Sequence, residues 1–287
     1  MRRNKKTRRN LEWWLATHRA AIEGDRLPVS DERGALIHRD YGSDVLFIAH
    51  LDYVGEDTVK RPRWFGKNGS KVAHDSLDNR LGCWALEALI AAGVQADLLF
   101  TDCEETGRST VSEFVADKGR YRFALSMDRR GDDVVLYQYE TSKRWRRLCG
   151  RWWPIGMGSY SCVASLQLGI VAANVGVGYE DEHTGRCWAN LRTTKRQMSK
   201  VASFVPVARR KAPKAFTERI PRYCFDQHDW RDEYGDWALD EGYAAAQRAI
   251  VPVNGNGRGL VYHSYQVESA PALPAIERRR LSALARG

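Results

Sequence analysis

The sequence has no run of the roughly 20 apolar residues that a membrane-crossing helix needs, so a membrane protein of the helical kind is not expected. Its basic beginning is not followed by an apolar signal segment. The best candidate, LEWWLATHRAA from residue 11, is too short and too polar. None of the six cysteines (Cys83, Cys103, Cys149, Cys162, Cys187 and Cys224) forms a CxxC pair. A chain of 287 residues does not depend on disulfides as its main staple. Reduced thiols and a cytoplasmic location are therefore expected. There is no convincing internal repeat, which sets aside solenoids and propellers. No aromatic-basic motif of an RNA or DNA reader is present.

What remains is an ordinary globular composition, 43% hydrophobic and 28% charged. The formal net charge of +9 sits largely at the ends. Residues 1–10 carry six basic side chains and no acid, and Arg278, Arg279 and Arg280 stand together. Tails of this kind are usually solvated, so the charge argues for weak attraction to polyanions rather than for a nucleic-acid partner. Length fits one large domain with extensions.

Short apolar runs alternate with helical patterns. Residues 10–22 read as an amphipathic helix and 24–44 as turn-rich. VLFIAH at 45–50 reads as a buried central strand, and 56–76 as a loop or short hairpin. A helix is expected over 80–93, ending at Gly93, with strands at 96–101, 123–127, 134–139 and 170–177. Helices are expected at 109–115, 159–168 and 190–205, while RWRRLCGRWW at 144–153 is the best candidate for an exposed basic-aromatic face. The alternation argues an α/β domain with a mainly parallel central sheet flanked by helices. The expected division is a catalytic domain over 1–208, with a basic tail at 1–9, and an extension over 209–287 that is packed on it or partly disordered.

Polar clusters recur where the strands end, and ligands of such sheets gather beyond strand carboxyl ends. His50 and Asp52 close the first strand. In extended chain, residues two apart share a face, so one can hold a metal while the other fixes the imidazole. Asp75, Asp78 and Asn79 precede the helix at 80–93; Asp102, Glu104 and Glu105 follow the strand at 96–101; Asp128 follows 123–127; Glu180, Asp181, Glu182 and His183 follow 170–177. Taken singly, each has a plain structural reading: Asp78 as a helix cap, the Glu pair as solvated, His183 as a surface-loop histidine, His74 as a loop histidine. Together they make a nitrogen and oxygen ligand set for which zinc is the natural occupant, with Mn²⁺ or Co²⁺ as substitutes.

On these motifs the chain resembles the co-catalytic di-zinc exopeptidases, the aminopeptidases and their carboxypeptidase and deacylase relatives with a three-layer phosphorylase/hydrolase-like core. The resemblance spans residues 45 to about 195 and rests on AHLDYVG, LDNRLG, CEETG, Asp128 and GVGYEDEHTG. It implies His50 as a metal ligand with Asp52 as its orienter, and Asp78 as a carboxylate bridging two Zn²⁺. It implies Glu104 as general base, and Glu105, Asp128 and His183 as further ligands. One ion would take His50, Asp78 and Asp128, and the other Asp78, Glu105 and His183. The implied activity is hydrolysis of a peptide or small amide, with aminopeptidase first and carboxypeptidase or N-acyl deacylase as alternatives. A non-catalytic binding module with basic tails is the rival of another class. Two positions depart from the pattern: Cys162 stands where an acid is frequent, and Trp188 where a glutamate is frequent. No lid-sized insertion interrupts 106–183.

Overall fold

A computed structural model describes residues 2–30, 34–54, 61–158 and 160–216. In chain order the helices are α1 (Arg2–Ala16), α2 (Leu77–Ala91), α3 (Lys143–Cys149) and α4 (Leu191–Lys211). The strands are β1 (Asp25–Arg26), β2 (Ile37–Arg39), β3 (Val45–His50), β4 (Arg63–Phe65), β5 (Lys71–Ala73), β6 (Asp97–Thr101), β7 (Phe123–Ser126), β8 (Val134–Val135), β9 (Val171–Val175), β10 (Tyr179–Glu180) and β11 (Trp188–Asn190). They form two sheets, a seven-stranded one of order β1-β2-β6-β3-β7-β9-β8 and a four-stranded one of order β10-β11-β5-β4.

The larger sheet is mixed. Its centre is parallel, β6 with β3, β3 with β7 and β7 with β9. Its edges are antiparallel, β1 and β2 on one side and β8 on the other. A mainly parallel sheet is thus realised only in the four central strands. Every residue of β3 is buried, as expected of a strand covered on both faces. The parallel order brings the carboxyl ends of β3, β6 and β7 to one edge, and this sets the location of the site.

Ring packing anchors the helices. Phe204 of α4 lies against Phe123, Trp145, Trp152 and Trp153, with centroids 5.0–6.2 Å apart. Helix α2 ends where Gly93 takes φ +94°, a left-handed conformation that glycine adopts without cost. Helix α4 is capped by Asn190, whose side chain accepts from the Arg192 amide. It runs past the expected end through Pro206, because Val205 and Ala208 keep its inner face buried.

Other elements differ from expectation for local reasons. Helix α1 begins at Arg2 rather than near residue 10, and Arg8 stacks over Trp64. The turn-rich stretch at 24–44 contains β1 and β2, too short for a periodic signal. The expected strand at 134–139 gives way after Val135 to a 3-10 turn, and 159–168 forms only the turn Cys162–Ser165. RWRRLCGRWW takes in all of α3 but its first residue, and its Trp145 and Trp153 are buried, so it is not an exposed aromatic face. Near the expected boundary at 208, α4 continues to Lys211 and Phe216 packs on Tyr139. Residues 217–287, including Cys224, lie outside the described residues.

Candidate metal centre

His50 is the last residue of β3, Glu104 and Glu105 follow β6, and Asp128 follows β7. Asp78 opens α2, and His183 lies in the loop joining β10 to β11. The fold brings all six together. His50 Nε2 is 3.2 Å from Asp128 Oδ1, 3.3 Å from Asp78 Oδ1 and 3.8 Å from Glu104 Oε2. His183 Nε2 is 3.2 Å from Asp78 Oδ2 and 3.1 Å from Glu105 Oε2. The two oxygens of Asp78 thus face different imidazoles. His50 is fully enclosed, whereas the His183 side chain is 54% exposed and stands at the mouth.

Asp52 ties this arrangement from behind. The His50 Nδ1–H donates to the Asp52 carbonyl oxygen at 2.9 Å, with Asp52 Oδ1 at 3.3 Å. That bond fixes the tautomer and leaves Nε2 to offer its lone pair to the cluster. Asp52 Oδ2 accepts from the Glu105 amide at 3.0 Å. Burial opposes the Asp52 charge, yet His50 and the amides of Glu105 and Glu104 hold its pKa below the usual carboxylate range.

The donor set suits divalent cations. Two imidazole nitrogens and carboxylate oxygens are zinc-type ligands, and tetrahedral bonds of about 2.0–2.1 Å place ligand atoms roughly 3.3 Å apart. The separations around His50 and His183, 3.1–3.3 Å, match that spacing. His50, Glu104 and Asp128 bring one ligand atom each within 4.8 Å of one another, and so do His50, Asp78 and Glu105. Glu105 Oε1 is buried without a hydrogen-bond partner. The acids disturb one another. Burial, then Asp78, pushes Glu105 up to about 7. Burial also raises Glu104 well above its usual value, with Asp128 and Glu105 adding to it, and raises Asp128. Burial lowers the His183 pKa, but Asp78 and Glu105 outweigh it and carry it up to about 11. Positive charge at the centre of the cluster would remove this conflict.

Several supporting residues were not singled out from the sequence: Asn174 and Cys83 stand outside the motifs, while Gly82, Tyr179 and Cys103 stand inside LDNRLG, GVGYEDEHTG and CEETG. Asn174, a lone polar residue in the apolar strand β9, grips Asp128 at both backbone groups, accepting from its amide at 3.0 Å and donating to its carbonyl at 2.7 Å. A buried amide in such a strand is the signal that could have found it. The Tyr179 hydroxyl donates to Asp128 Oδ1 at 3.4 Å, and the Cys83 thiol to the His50 carbonyl at 3.3 Å. Gly82 allows α2 to approach β7: a Cβ there would lie 2.2 Å from the Met127 carbonyl and 1.9 Å from Asn79 Oδ1. Cys103, just before Glu104, and His183 itself hold left-handed backbone at φ +62° and +59°. For residues other than glycine that conformation is uncommon and gathers at functional sites.

Other candidates fall outside the cluster. His74 is buried and bonds the Ser76 hydroxyl at 2.8 Å. Cys162 lies against Thr101 and Ser109, and burial keeps its thiol protonated. Trp188 is on β11, facing away from the ligands' side of that hairpin toward Lys71.

Neither protein-family models nor curated proteins match the chain. Solved structures do align with it. An aminopeptidase from Bacillus cereus aligns over 70% of this chain and 97% of its own at 9% identity, TM-score 0.49. A tripeptidase from Staphylococcus aureus aligns over 72% and 98% at 10% identity, TM-score 0.48. A TET aminopeptidase from a marine-sediment Thaumarchaeota archaeon aligns over 71% and 96% at 9% identity, TM-score 0.49. At such identities activity does not carry over, and what this chain does has to be read from its own side chains.

Proposed function

We propose that this chain is a metal-dependent hydrolase of amide bonds acting as an aminopeptidase. The observation that carries the reading is Asp78, whose two oxygens face His50 and His183 separately. His50, Asp78 and Asp128 would hold one divalent cation, and Asp78, Glu105 and His183 a second. Zinc suits the donor set best. Bound cations would supply Lewis acidity to a carbonyl oxygen and lower the pKa of water.

The chain's own groups then divide the remaining tasks. Glu104 is the general base: its carboxylate takes a proton from water and returns it to the leaving amine. Its Oε2 stands farther from His50 Nε2, at 3.8 Å, than the oxygens of Asp78 and Asp128 do. Glu105, one residue on, turns to His183 instead. Asp52 orients both His50 and the backbone that carries the two glutamates.

The mouth favours a free amino terminus over a free carboxylate. Glu180, Asp181 and Glu182 precede His183 and concentrate negative charge there. The arginines that follow Asp128 are engaged, Arg129 with Asp133 at 2.6 Å and Arg130 with Glu182 at 3.4 Å. The test is a set of matched peptides with free, acylated and carboxyl-blocked ends, given to zinc-loaded protein. Chelator-sensitive release of the amino-terminal residue from free-amino peptides is expected. Cleavage confined to acylated peptides would favour a deacylase, and no cleavage at all would overturn the reading.

A further inference from the structure

Glu104 and Glu105 ride on one turn after β6, and two buried carboxylates hold that turn by its amides. The Glu105 amide donates to Asp52 Oδ2 at 3.0 Å, and the Cys103 amide donates to Asp102 Oδ1 at 3.2 Å. Glu104 stands between the two held amides. The left-handed step at Cys103, φ +62°, comes immediately before it and sets the direction in which its side chain leaves the chain. A residue with a Cβ keeps that conformation where its neighbours enforce it. Thr110 braces the same point from outside the turn. Its amide donates to the Asp102 carbonyl at 3.0 Å, and its hydroxyl accepts from the Asp102 amide at 3.0 Å while donating to the Ala35 carbonyl at 2.8 Å.

Asp52 has the His50 imidazole beside it. Asp102 has Arg19, whose Nη1 donates to Asp102 Oδ2. The Asp102 side chain is 2% exposed and that of Arg19 40%, so the cation comes in from the surface. Among the described residues no other cation bonds Asp102. The docking of α1 delivers it. Leu11 and Trp14 are fully buried, the Trp14 ring lies 5.3 Å from that of Phe100 on β6, and Trp14 Nε1 donates to Glu87 Oε2 at 2.7 Å. His18 caps the turn Arg19–Ala21, its Nδ1 accepting from the Ala20 amide at 3.2 Å. We propose that Arg19 is a positioning residue for the hydrolytic base: by bonding Asp102 it fixes the turn at Cys103, and through it the place of Glu104 beside His50, Asp78 and Asp128. The proposal rests on the amide-hydrolase reading and gives the segment before β1 a part in it. A carboxylate so enclosed is costly without a cation, and the end of β6 would give way to bring it water. A bridge that served only to dock α1 would engage Asp102 alone, whereas here the acid's other oxygen holds the amide next to the base.

The test uses full-length, zinc-loaded protein and a free-amino peptide, leucyl-glycyl-glycine. Arg19→Met is expected to lower kcat by roughly ten- to hundredfold, the cost of a misplaced reacting group, with KM and zinc content unchanged. Arg19→Lys should recover most of the loss. Arg8→Met removes another arginine of the same segment, one that bonds the Asn68 carbonyl and stacks on Trp64 instead, and should keep kcat. In an Asp102→Asn background, Arg19→Met should change kcat little further, because the pair acts as a unit. In zinc-free protein, the amides of residues 103–105 should exchange hydrogen faster in Arg19→Met than in wild type. Unchanged kcat in Arg19→Met, an equal fall in Arg8→Met, or a fall accounted for by lost zinc would overturn the proposal. So would an Arg19→Met effect of the same size with and without Asp102→Asn. No cleavage by the wild-type protein would instead overturn the amide-hydrolase reading, and this proposal with it.

Discussion

The two ends of strand β6 handle buried acids in opposite ways. At its start, Asp97 is fully enclosed and accepts from the Tyr41 and Ser43 amides at 2.9 and 3.0 Å, the Tyr121 hydroxyl at 2.8 Å and Arg120 Nη2 at 2.8 Å. Every lone pair there has a donor, and the network ties β2, β3 and β7 to the strand. Just past its other end, Glu104 and Glu105 join Asp78 and Asp128 around two imidazoles, with too few protons to go round and one carboxylate oxygen left without a donor. Satisfied acids of the first kind hold a fold together, whereas an unsatisfied cluster of the second kind is built for something that arrives later.

That contrast can be broken from either end. The largest effect is expected at the crowded end. Glu104→Gln should keep bound metal while kcat falls by roughly 10²–10⁴-fold; steady-state kinetics with metal analysis on the same sample decides, and unchanged kcat would remove Glu104 from its role. At the satisfied end, Asp97→Ala should cost roughly 3–5 kcal/mol of stability by stranding Arg120 and two buried amides, read by denaturant unfolding with metal-site occupancy preserved in the folded fraction. Chelation should sharpen the difference: metal at about 100 times its Kd stabilises the folded chain by about 2.7 kcal/mol, so Tm should drop on chelation and recover with zinc. Gly82→Ala should destabilise by about 1–3 kcal/mol, because helix α2 must back away from β7, and should weaken metal affinity as Asp78 moves with it.

The smallest effect concerns pH at the satisfied end. His38 bonds the Tyr121 hydroxyl at 3.0 Å, and burial lowers its pKa from 6.5 despite Asp97, Asp40 and Asp25. The folded state therefore binds this proton less readily than the unfolded one. The stability that His38 contributes is complete above pH 6.5 and is lost as the pH falls below it. His38→Gln should flatten the stability profile in that range, measured by chemical denaturation between pH 5 and pH 8; an unchanged slope would exclude His38 as its source.

How much of this was legible in the sequence differs between the two ends as well. The crowded end announced itself, since polar residues following apolar strands at 50, 104 and 128 are visible without coordinates, and the parallel order then converges them. The satisfied end was silent. Asp97 begins a strand like any other residue, and its partners Tyr41, Ser43, Arg120 and Tyr121 come from distant turns with no periodicity. The supports of the site were equally hidden: Gly82 reads as an ordinary helix residue until β7 is placed beside it, and Asn174 as a stray amide until it meets Asp128. Of the smaller sheet, the hairpin of β4 and β5 falls within the loop or short hairpin expected at 56–76, but β10 and β11 were missed because strands of two or three residues carry no pattern and β11 pairs with β5 from more than a hundred positions away. Continuous apolar runs report layers, whereas second-layer contacts depend on which strands become neighbours.

The central claim is that His50 and His183 share a pair of cations through Asp78, and metal stoichiometry after dialysis tests it most directly. Wild-type protein should retain two zinc ions per chain, His183→Ala about one, and Asp78→Ala neither at comparable affinity. A folded wild-type protein that binds no divalent metal, or an Asp78→Ala variant that keeps both ions, would contradict it.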